Sequence, residues 1–347
     1  MAITIYDVAK KAGVGIGTVS RAINDSPQIS PKTKARVLQV VGELKYQPHA
    51  VAQGLARKRT NTIACIVPFF TGYFFVELLR GIQSQITKYK YDLILYSVDE
   101  IDKKEMFLRR TLQERKVDGV LLISLKISDE YAPKFLHAKF PIVLVDSYHP
   151  ELDSILVQND EGAYLATEYL ISLGHTRIGM INGQLKSTPA QLRLQGFRRA
   201  LQDHNVPFNK DYLVISDFDG DNEVLPNDGF NKEAGYRAMQ KLLDSGNGRP
   251  TAVFISSDIQ AVGAIRAVTE RGLRVSEDVA IVGFDDIELS EYLGLTTMRQ
   301  PMFEMGELAV QRLMAKISGT DSKDFKKIFS TNLIIRESCG GQVEKES

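Results

Sequence analysis

The 347-residue chain has few of the residues that build disulfide frameworks, metal centres or membrane spans. Its two cysteines, Cys65 and Cys339, lie far apart and in no metal-ligand spacing. Cys65 falls within an apolar run, which predicts a buried free thiol. No apolar run is long enough to cross a bilayer, and the first residues do not form the apolar stretch of a signal peptide. We therefore expect a cytoplasmic protein with no membrane partner.

The sequence also lacks the motifs of common catalytic sites. It contains no GxSxG, HExxH or CxxC motif and no complete phosphate loop. The glycines of GVGIG at 13–17 follow a predicted helix rather than a strand. The third glycine of the nucleotide-binding pattern GxGxxG would fall at position 18, which is a threonine. These absences predict that the protein is not an enzyme. We expect no catalytic residues, no metal site and no cofactor.

The formal net charge is zero, but the charges are unevenly distributed along the chain. Residues 1–60 carry ten Lys and Arg against three Asp and Glu, whereas the remainder carries 33 against 40. A compact basic segment joined to an acidic body indicates a polyanionic partner for the first sixty residues. Charge alone leaves a solvated basic face as an almost equally good explanation.

Residues 4–24, TIYDVAKKAGVGIGTVSRAIN, form the first informative pattern. A helix is predicted to end at Gly13, and a second helix is predicted from about residue 16 to Asn24. In such a helix Val19 faces the first helix, and Arg21 faces outward. This pattern is typical of a helix-turn-helix, whose second helix enters the major groove of DNA. A plain helical hairpin is the alternative. Farther on, Ser30 and Pro31 predict the start of a third helix.

From residue 62 onward, short apolar runs alternate with helical patterns. Seven of these runs have the length and composition of buried strands: 62–68, 92–97, 118–124, 141–146, 177–182, 251–256 and 279–284. Between them, helices are predicted at 73–89, 160–173, 189–204, 231–244 and 258–271. Strands separated by helices of this length predict parallel sheets. About seven strand–helix units are more than one mononucleotide-binding sheet contains, so we predict an α/β body with two lobes.

Ordered motifs along nearly the whole chain resemble those of the LacI/GalR family of regulators. The DNA-binding and hinge signatures are IYDVAKKAGVGIGTVSRAIND and KYQPHAVAQGLARKRTNTIACIVP. The signatures of the regulatory core are SLGHTRIGMING, RLQGFRRAL, FISSDIQAVGAIRAVTERGLRV, DVAIVGFDDIELS and LTTMRQP. The resemblance implies a helix-turn-helix module joined to a two-lobed core like that of periplasmic binding proteins. It also implies a repressor that binds operator DNA as a homodimer.

The resemblance assigns residues to DNA binding. The bases would be read from the start of the second helix, with Arg21 one turn further on. The full set of expected DNA contacts is Tyr6, Ile16, Gly17, Thr18, Ser20, Arg21, Asn24, Leu55 and Ala56. Leu55 belongs to a segment that resembles the family's hinge helix, at about 49–58, and it would enter the minor groove with Ala56 beside it.

The resemblance also implies a small-molecule effector at the carboxyl ends of the core strands. The candidate effector-binding residues are Phe69, Phe74, Arg193 and Asp285. Aromatic rings can stack on a sugar face, Arg193 offers several donors, and the carboxylate of Asp285 can accept from vicinal hydroxyls. A carbohydrate is the expected effector, and a purine corepressor is the main alternative. A solute-binding protein with an unrelated helical N-terminus is a further alternative.

The predicted boundaries follow from these assignments. Residues 1–60 would form the DNA-binding domain with its hinge, 61–340 the effector and dimerisation core, and 341–347 a tail. Within the core, the N-lobe would comprise about 61–160 and 293–325. The C-lobe would comprise about 161–292 and 326–340.

Overall fold

The computed structural model describes residues 3–46, 59–68, 72–98, 101–216, 226–246, 248–320 and 325–340. The chain divides into two compact units, Met1–Asn61 and Thr62–Ser347. The described part of the first unit is helical, and the second contains two sheets covered by helices. This arrangement confirms the predicted fold class.

Three helices build the described part of the first unit: α1 (Ile5–Ala12), α2 (Ile16–Ile23) and α3 (Pro31–Glu43). Their apolar residues recur every three or four positions, so each helix turns one apolar face inward. Val8, Val19 and Val37, one from each helix, are fully buried in the shared core. The three short helices are therefore held together by one small cluster.

The helix ends follow from local chemistry. At the start of α1, the Asp7 carboxylate accepts from the backbone N–H of Thr4 at 2.8 Å and from its hydroxyl at 2.7 Å. These bonds lower the pKa of Asp7. At the start of α3, the hydroxyl of Ser30 accepts from the N–H of Thr33 at 3.2 Å, and Pro31 takes the first helical position as predicted.

Gly13 makes the turn between α1 and α2 possible. Its φ of 64° lies in the left-handed region, and an added Cβ would meet nothing within 4 Å. Gly13→Ala should therefore destabilise the first unit by about 1–2 kcal/mol through backbone strain alone. Gly42→Ala is the matched control, because Gly42 lies within α3 with open space around it, and alanine there should stabilise the helix. Hydrogen exchange of the α1 and α2 amides in the full chain measures both effects. Equal exchange rates in the two variants would contradict the assignment.

The described part of the second unit contains two six-stranded sheets. The N-lobe sheet has the order β11-β5-β4-β3-β1-β2, and the C-lobe sheet has the order β12-β10-β9-β8-β6-β7. The described strand pairs are parallel except for β10 with β12. The strands are β1 (Thr62–Val67), β2 (Asp92–Ser97), β3 (Gly119–Ile123), β4 (Ile142–Val145), β5 (Ser154–Val157), β6 (Ile178–Asn182), β7 (Leu213–Ile215), β8 (Ala252–Ile255), β9 (Ala280–Asp285), β10 (Thr296–Arg299), β11 (Lys326–Phe329) and β12 (Asn332–Ile334).

Strand β1 shows why these segments are apolar at every position. Ile63 and Cys65 point into a core on one face of the N-lobe sheet, and Ala64 and Ile66 point into another core on the opposite face. Successive side chains of a strand alternate between faces, so a sheet with helices on both sides needs apolar residues throughout. Cys65 is a buried free thiol, as predicted.

Helices cover both faces of each sheet. They are α4 (Tyr73–Tyr89), α5 (Ile101–Glu114), α6 (Ala132–His137), α7 (Asn159–Ser172), α8 (Thr188–Asp203), α9 (Lys232–Leu243), α10 (Asp258–Glu270), α11 (Glu288–Tyr292) and α12 (Met302–Ser318). Helices α4 and α12 pack on one face of the N-lobe sheet, and α5 and α6 on the other. Helices α7 and α8 pack on one face of the C-lobe sheet, and α9 and α10 on the other. In the described part of the chain, no helix combines the length and apolar character needed to cross a bilayer.

Two of the predicted lobe boundaries are wrong. Strand β10 lies in the C-lobe sheet beside β9, although 293–325 was predicted to belong to the N-lobe. Strand β11 lies in the N-lobe sheet beside β5, although 326–340 was predicted to belong to the C-lobe. The chain therefore leaves the C-lobe after β10, forms α12 and β11 in the N-lobe, and returns with β12. Each strand joins the sheet that offers it a hydrogen-bonding edge. The sequence of a short strand does not indicate which of the two sheets offers that edge.

Candidate functional site

A cleft lies where the carboxyl ends of the strands of both lobes meet. Its volume is about 430 Å³, and both lobes contribute to its lining. Ser124 follows β3 and Asp146 follows β4 on the N-lobe side. Ser257 follows β8 and Asp285 ends β9 on the C-lobe side. Parallel α/β sheets bind ligands at this end of their strands, so the cleft is the candidate small-molecule site.

Arg193 is the central cation of the cleft. It comes from α8, and its side chain is almost fully buried. Its Nε donates to Oδ1 of Asn159 at 2.9 Å, and its Nη1 donates to the carbonyl oxygen of Ser256. The guanidinium group lies over the ring of Phe284, 3.8 Å from the ring centroid. These contacts fix the plane of the group and leave guanidinium N–H groups that a ligand can use.

Carboxylates from both lobes act on this cation. Oδ1 of Asp285 lies 3.8 Å from Nη1 of Arg193, and the side-chain amide of Gln300 donates to the same oxygen at 2.6 Å. Burial raises the pKa of Asp285 to about 7, against the opposing effect of Arg193. Burial likewise raises the pKa of Asp146 to about 6, opposed by a hydrogen bond from Ser124 and by Arg193. Burial lowers the pKa of Arg193, and the charges of Asp285, Asp146 and Asp258 oppose that shift.

The backbone at the carboxyl ends of the strands is strained. Asp285 has a φ of 130° and Asp286 a φ of 60°, and Ser124 and Asp146 have φ values of 51° and 52°. Non-glycine residues adopt such conformations at a cost and keep them only where the surroundings impose them. Strain of this kind is typical of ligand-binding sites.

Asp258 holds the strained turn after β9. Its carboxylate accepts from the backbone N–H groups of Asp286 at 2.7 Å and Ile287 at 3.2 Å. It also accepts from the hydroxyls of Ser290 and Thr297, each at 2.6 Å. Four donors to one buried carboxylate fix the path of the chain that carries Asp285.

The second aspartate of the GFDD motif serves the fold. Asp286 forms ion pairs with Arg299 at 2.6 Å and with Arg336 at 2.8 Å. It does not line the cleft, whereas Asp285 does. The two neighbouring carboxylates therefore have different roles.

A close helix crossing places Arg193. One turn beyond Arg193, Gly196 packs against α7, and a Cβ there would lie 1.9 Å from the carbonyl oxygen of Asp160. Only glycine allows this approach. It brings α8 close enough to α7 for Arg193 to reach Asn159.

The structure brings three of the four predicted effector residues together. Phe74, Arg193 and Asp285 all line the cleft. Phe74 comes from the N-lobe, packs edge-on against Phe75 and is half-buried. Phe69 lies outside the described residues. Phe230 supplies an aromatic ring from the C-lobe, with its centroid 5.9 Å from the guanidinium of Arg193.

Sequence reasoning missed Asp146, Ser124 and Gln300. Asp146 and Ser124 could have been selected, because each is the last residue of a predicted buried strand, where parallel sheets bind ligands. Gln300 follows β10, a strand that was not predicted, and its place in the LTTMRQP motif was not used to select it.

The first unit exposes the predicted DNA-contacting face of α2. Gly17 and Arg21 are exposed, and Ile16 lies at the start of the helix with 39% of its side chain exposed. Thr18, Ser20 and Asn24 are half-buried, and the amide of Asn24 donates to the hydroxyl of Ser20 at 3.3 Å. Tyr6 is exposed on α1. Leu55, Ala56 and the predicted hinge helix lie outside the described residues.

Across the described ranges, no group of three or more His, Cys, Asp or Glu side chains could hold a metal ion. The cleft chemistry consists of carboxylates, a guanidinium, hydroxyls, amides and aromatic rings. Such groups recognise a hydroxylated organic molecule through hydrogen bonds and stacking.

Family comparisons agree with this division of the chain. The model of bacterial regulatory proteins of the lacI family matches residues 4–49, and that of the periplasmic binding protein-like domain matches residues 167–339. The ribose operon repressor of Haemophilus influenzae is 37% identical over 339 residues, which cover 96% of this chain and 98% of that protein.

Two solved structures are also similar over the whole chain. The Lac repressor dimer bound to operator and the anti-inducer ONPF has a TM-score of 0.81 at 28% identity, covering 98% of this chain and 99% of that one. The transcriptional regulator CelR in complex with cellobiose has a TM-score of 0.70 at 30% identity, covering 97% and 99%.

The extent of these matches confirms the resemblance seen in the sequence motifs. A helix-turn-helix unit is followed by a two-lobed binding core, and relatives with this architecture are transcriptional regulators. The chain belongs to the LacI family of bacterial regulatory proteins and is a DNA-binding transcriptional repressor controlled by a small molecule.

Proposed function

We propose that the protein represses transcription from a near-palindromic operator and that a sugar bound in the cleft adjusts its affinity for that operator. The observation that carries the sugar assignment is the buried Arg193, which has carboxylates from both lobes acting on it. The protein would be a binding protein rather than an enzyme, and it would act in the cytoplasm, where it meets DNA.

The polar groups of the cleft suit vicinal hydroxyls. Asp146 and Asp285 supply acceptors, Arg193 supplies planar donors, and Gln300 supplies an amide. Phe74 on the N-lobe side and Phe230 on the C-lobe side offer apolar surfaces for a sugar ring. A purine corepressor would use the aromatic surfaces but would leave two buried carboxylates with few donors to accept from.

Binding in this cleft would control DNA affinity because the ligand contacts both lobes. Its affinity then depends on the arrangement of the lobes, and a ligand shifts a conformational equilibrium only through such a difference in affinity. A coupling free energy of about 1–3 kcal/mol corresponds to a change in operator affinity of roughly 5–150-fold.

We further propose a homodimer. The edge strand β2 exposes Ile94 and Leu95, and the helix before it exposes Val76 and Tyr89. An unpaired edge strand beside exposed apolar side chains is a natural protein interface. Two such chains would present two helix-turn-helix units to the two halves of a palindromic site.

The test uses an operator selected from a pool of random DNA duplexes with the full chain. Operator affinity is then measured by fluorescence anisotropy with and without each member of a panel of sugars and nucleobases. We expect at least one sugar to change the affinity and the nucleobases to have no effect. A protein that selects no DNA sequence would overturn the repressor assignment, and a response to nucleobases alone would overturn the sugar assignment.

Arg21 should carry base readout, because it is exposed on the outward face of α2. Arg21→Ala should weaken operator binding by about 1–3 kcal/mol and relax the preference at one base pair of each half-site. Arg36→Ala, which removes an equal charge from the exposed face of α3, is the control and should leave sequence preference unchanged. Selection from a randomised site measures both. If Arg21→Ala keeps the original preference, Arg21 contacts only phosphate.

A further inference from the structure

The cleft has a second polar zone that the sugar-binding groups do not explain. Lys104 from α5 and Lys126 from the loop after β3 both line it on the N-lobe side. The ammonium group of Lys104 donates to the backbone carbonyl of Lys126 at 2.8 Å, so the two residues are neighbours. The cleft wall on this side therefore carries two lysine residues in contact, Lys104 partly buried and Lys126 exposed.

Neither lysine is neutralised by a carboxylate within the described residues. No ion pair to Lys104 or Lys126 is formed there within 4.0 Å. Lys104 is partly buried, which lowers its pKa, and only the charge of Glu105 acts in the opposite direction. By contrast, Lys186 on the C-lobe side is paired with Asp228 at 2.9 Å.

The carboxylates of the cleft lie around Arg193. The charge of Arg193 lowers the pKa of Asp146 and of Asp285 against the opposing effect of burial. The cleft thus contains an acceptor-rich zone around Arg193 and a cationic zone at Lys104 and Lys126. A partly buried cation without a counterion is costly, and a ligand anion would remove that cost.

We infer that the effector is an anionic sugar, with its ring hydroxyls at Asp146, Arg193 and Asp285 and its phosphate or carboxylate group at Lys104 and Lys126. This inference rests on the proposed function and specifies its ligand. Lysine ammonium groups bind phosphate and carboxylate oxygens through charge-assisted hydrogen bonds, which are stronger than neutral ones. The cavity of about 430 Å³ lies within the range of roughly 300–1,000 Å³ that is common for small-molecule sites.

Calorimetric titration of the full chain tests the inference. The ligands are glucose, fructose and ribose, the monophosphate ester of each, and glucuronate. We expect at least one anionic sugar to bind roughly tenfold or more tightly than its neutral parent, since hydrogen bonds to charged groups contribute about 1.5–3 kcal/mol. If a phosphate ester binds more tightly than glucuronate, the preferred anion is phosphate. If glucuronate binds more tightly, the preferred anion is carboxylate.

Variants assign the effect to the two lysines. In Lys104→Met/Lys126→Met the advantage of the anionic sugar should vanish while affinity for the neutral parent stays within about twofold. The charge-preserving pair Lys104→Arg/Lys126→Arg should retain most of the advantage. Lys241→Met, which removes an exposed lysine of α9 outside the cleft lining, should behave like the original protein.

Three results would overturn the inference. They are equal or tighter binding of the neutral parents, an anionic advantage that survives Lys104→Met/Lys126→Met, and no binding of any anionic sugar. The first of these results, together with a change in operator affinity caused by a neutral sugar, would overturn this inference and leave the proposed function intact. An absence of sequence-selective DNA binding would instead remove the proposed function.

Discussion

Replacing Arg193 by methionine should abolish the effector response and destabilise the second unit by roughly 3–5 kcal/mol, because removal of one partner leaves buried charges uncompensated. Asp146 and Asp285 would lose the cation that opposes the burial-induced rise in their pKa. The carbonyl of Ser256 and the amide oxygen of Asn159 would each lose a donor. Methionine keeps much of the length of arginine, so the substitution removes charge and hydrogen bonds more than packing volume.

Urea unfolding and operator anisotropy, each with and without effector, measure the two parts of this prediction. Arg199→Met is the control, since Arg199 lies on the same helix but is exposed and paired with Glu161 at the surface. Surface pairs contribute at most about 1 kcal/mol, so the control should unfold and respond almost as the original protein does. An Arg193→Met protein that is as stable as the control would mean that the buried carboxylates do not depend on Arg193.

The sequence predicted the strands that have continuous apolar runs. All seven predicted strands are present, with ends within about one residue. Most of them are covered by two helical layers and must therefore be apolar throughout, whereas the edge strand β2 is apolar although it is largely exposed. Strands β5, β7, β10, β11 and β12 were not predicted. They are three or four residues long, all five lie at or next to a sheet edge, and β11 is mostly exposed, so their sequences carry little continuous apolar signal.

The lobe boundaries failed for a related reason. The order of strands in a sheet depends on which backbone edge is free when the chain returns, and side-chain patterns do not encode it. The prediction therefore placed β10 and β11 in the wrong lobes, although α12 between them lies in the N-lobe as expected. Many apolar side chains hold a long helix in the core of one lobe. The lobe that a short strand joins is determined by its backbone hydrogen bonds instead.

Arg193 and Asp285 were selected by their match to family motifs, and the structure shows the physical basis of their proximity. Asp285 ends a strand, and Arg193 is carried to it by a helix that crosses its neighbour at Gly196. Asp146 had no such motif. Its importance depends on the N-lobe and C-lobe facing each other, and one sequence pattern cannot reveal a relation between two lobes.

Replacing Asp285 by asparagine should weaken effector binding and at the same time stabilise the protein at neutral and alkaline pH. Asparagine keeps an oxygen that can accept from Gln300, as the Oδ1 of Asp285 does at 2.6 Å. It loses the charged acceptor for ligand hydroxyls, which should cost about 1.5–3 kcal/mol of binding free energy. Asparagine also tolerates positive φ better than most residues, so the backbone strain at this position should change little.

The sign of the stability change follows from the pKa of Asp285, which burial raises from 3.8 to about 7. Between pH 4 and pH 7 the folded protein holds a proton that the unfolded chain has released. The free energy of unfolding therefore falls as pH rises through this window, and the loss is complete above the folded pKa. Asp285→Asn removes this loss. The variant should match the original protein near pH 4 and exceed it by about 2–4 kcal/mol at pH 8, at 1.36 kcal/mol for each unit of pKa.

Urea unfolding at pH 4, 6 and 8 provides the measurement, and the adjacent carboxylate provides the control. Asp286→Asn removes the partner of Arg299 and of the mostly buried Arg336, so it should destabilise the protein at pH 8. The same Asp-to-Asn substitution at two neighbouring positions should thus change the free energy of unfolding at pH 8 in opposite directions. Loss of stability in both variants at pH 8 would mean that the charge of Asp285 stabilises the folded state. If only Asp285→Asn gains stability at pH 8 and it also binds the effector more weakly, then the carboxylate of Asp285 disfavours folding. The cleft would keep it because the ligand requires it.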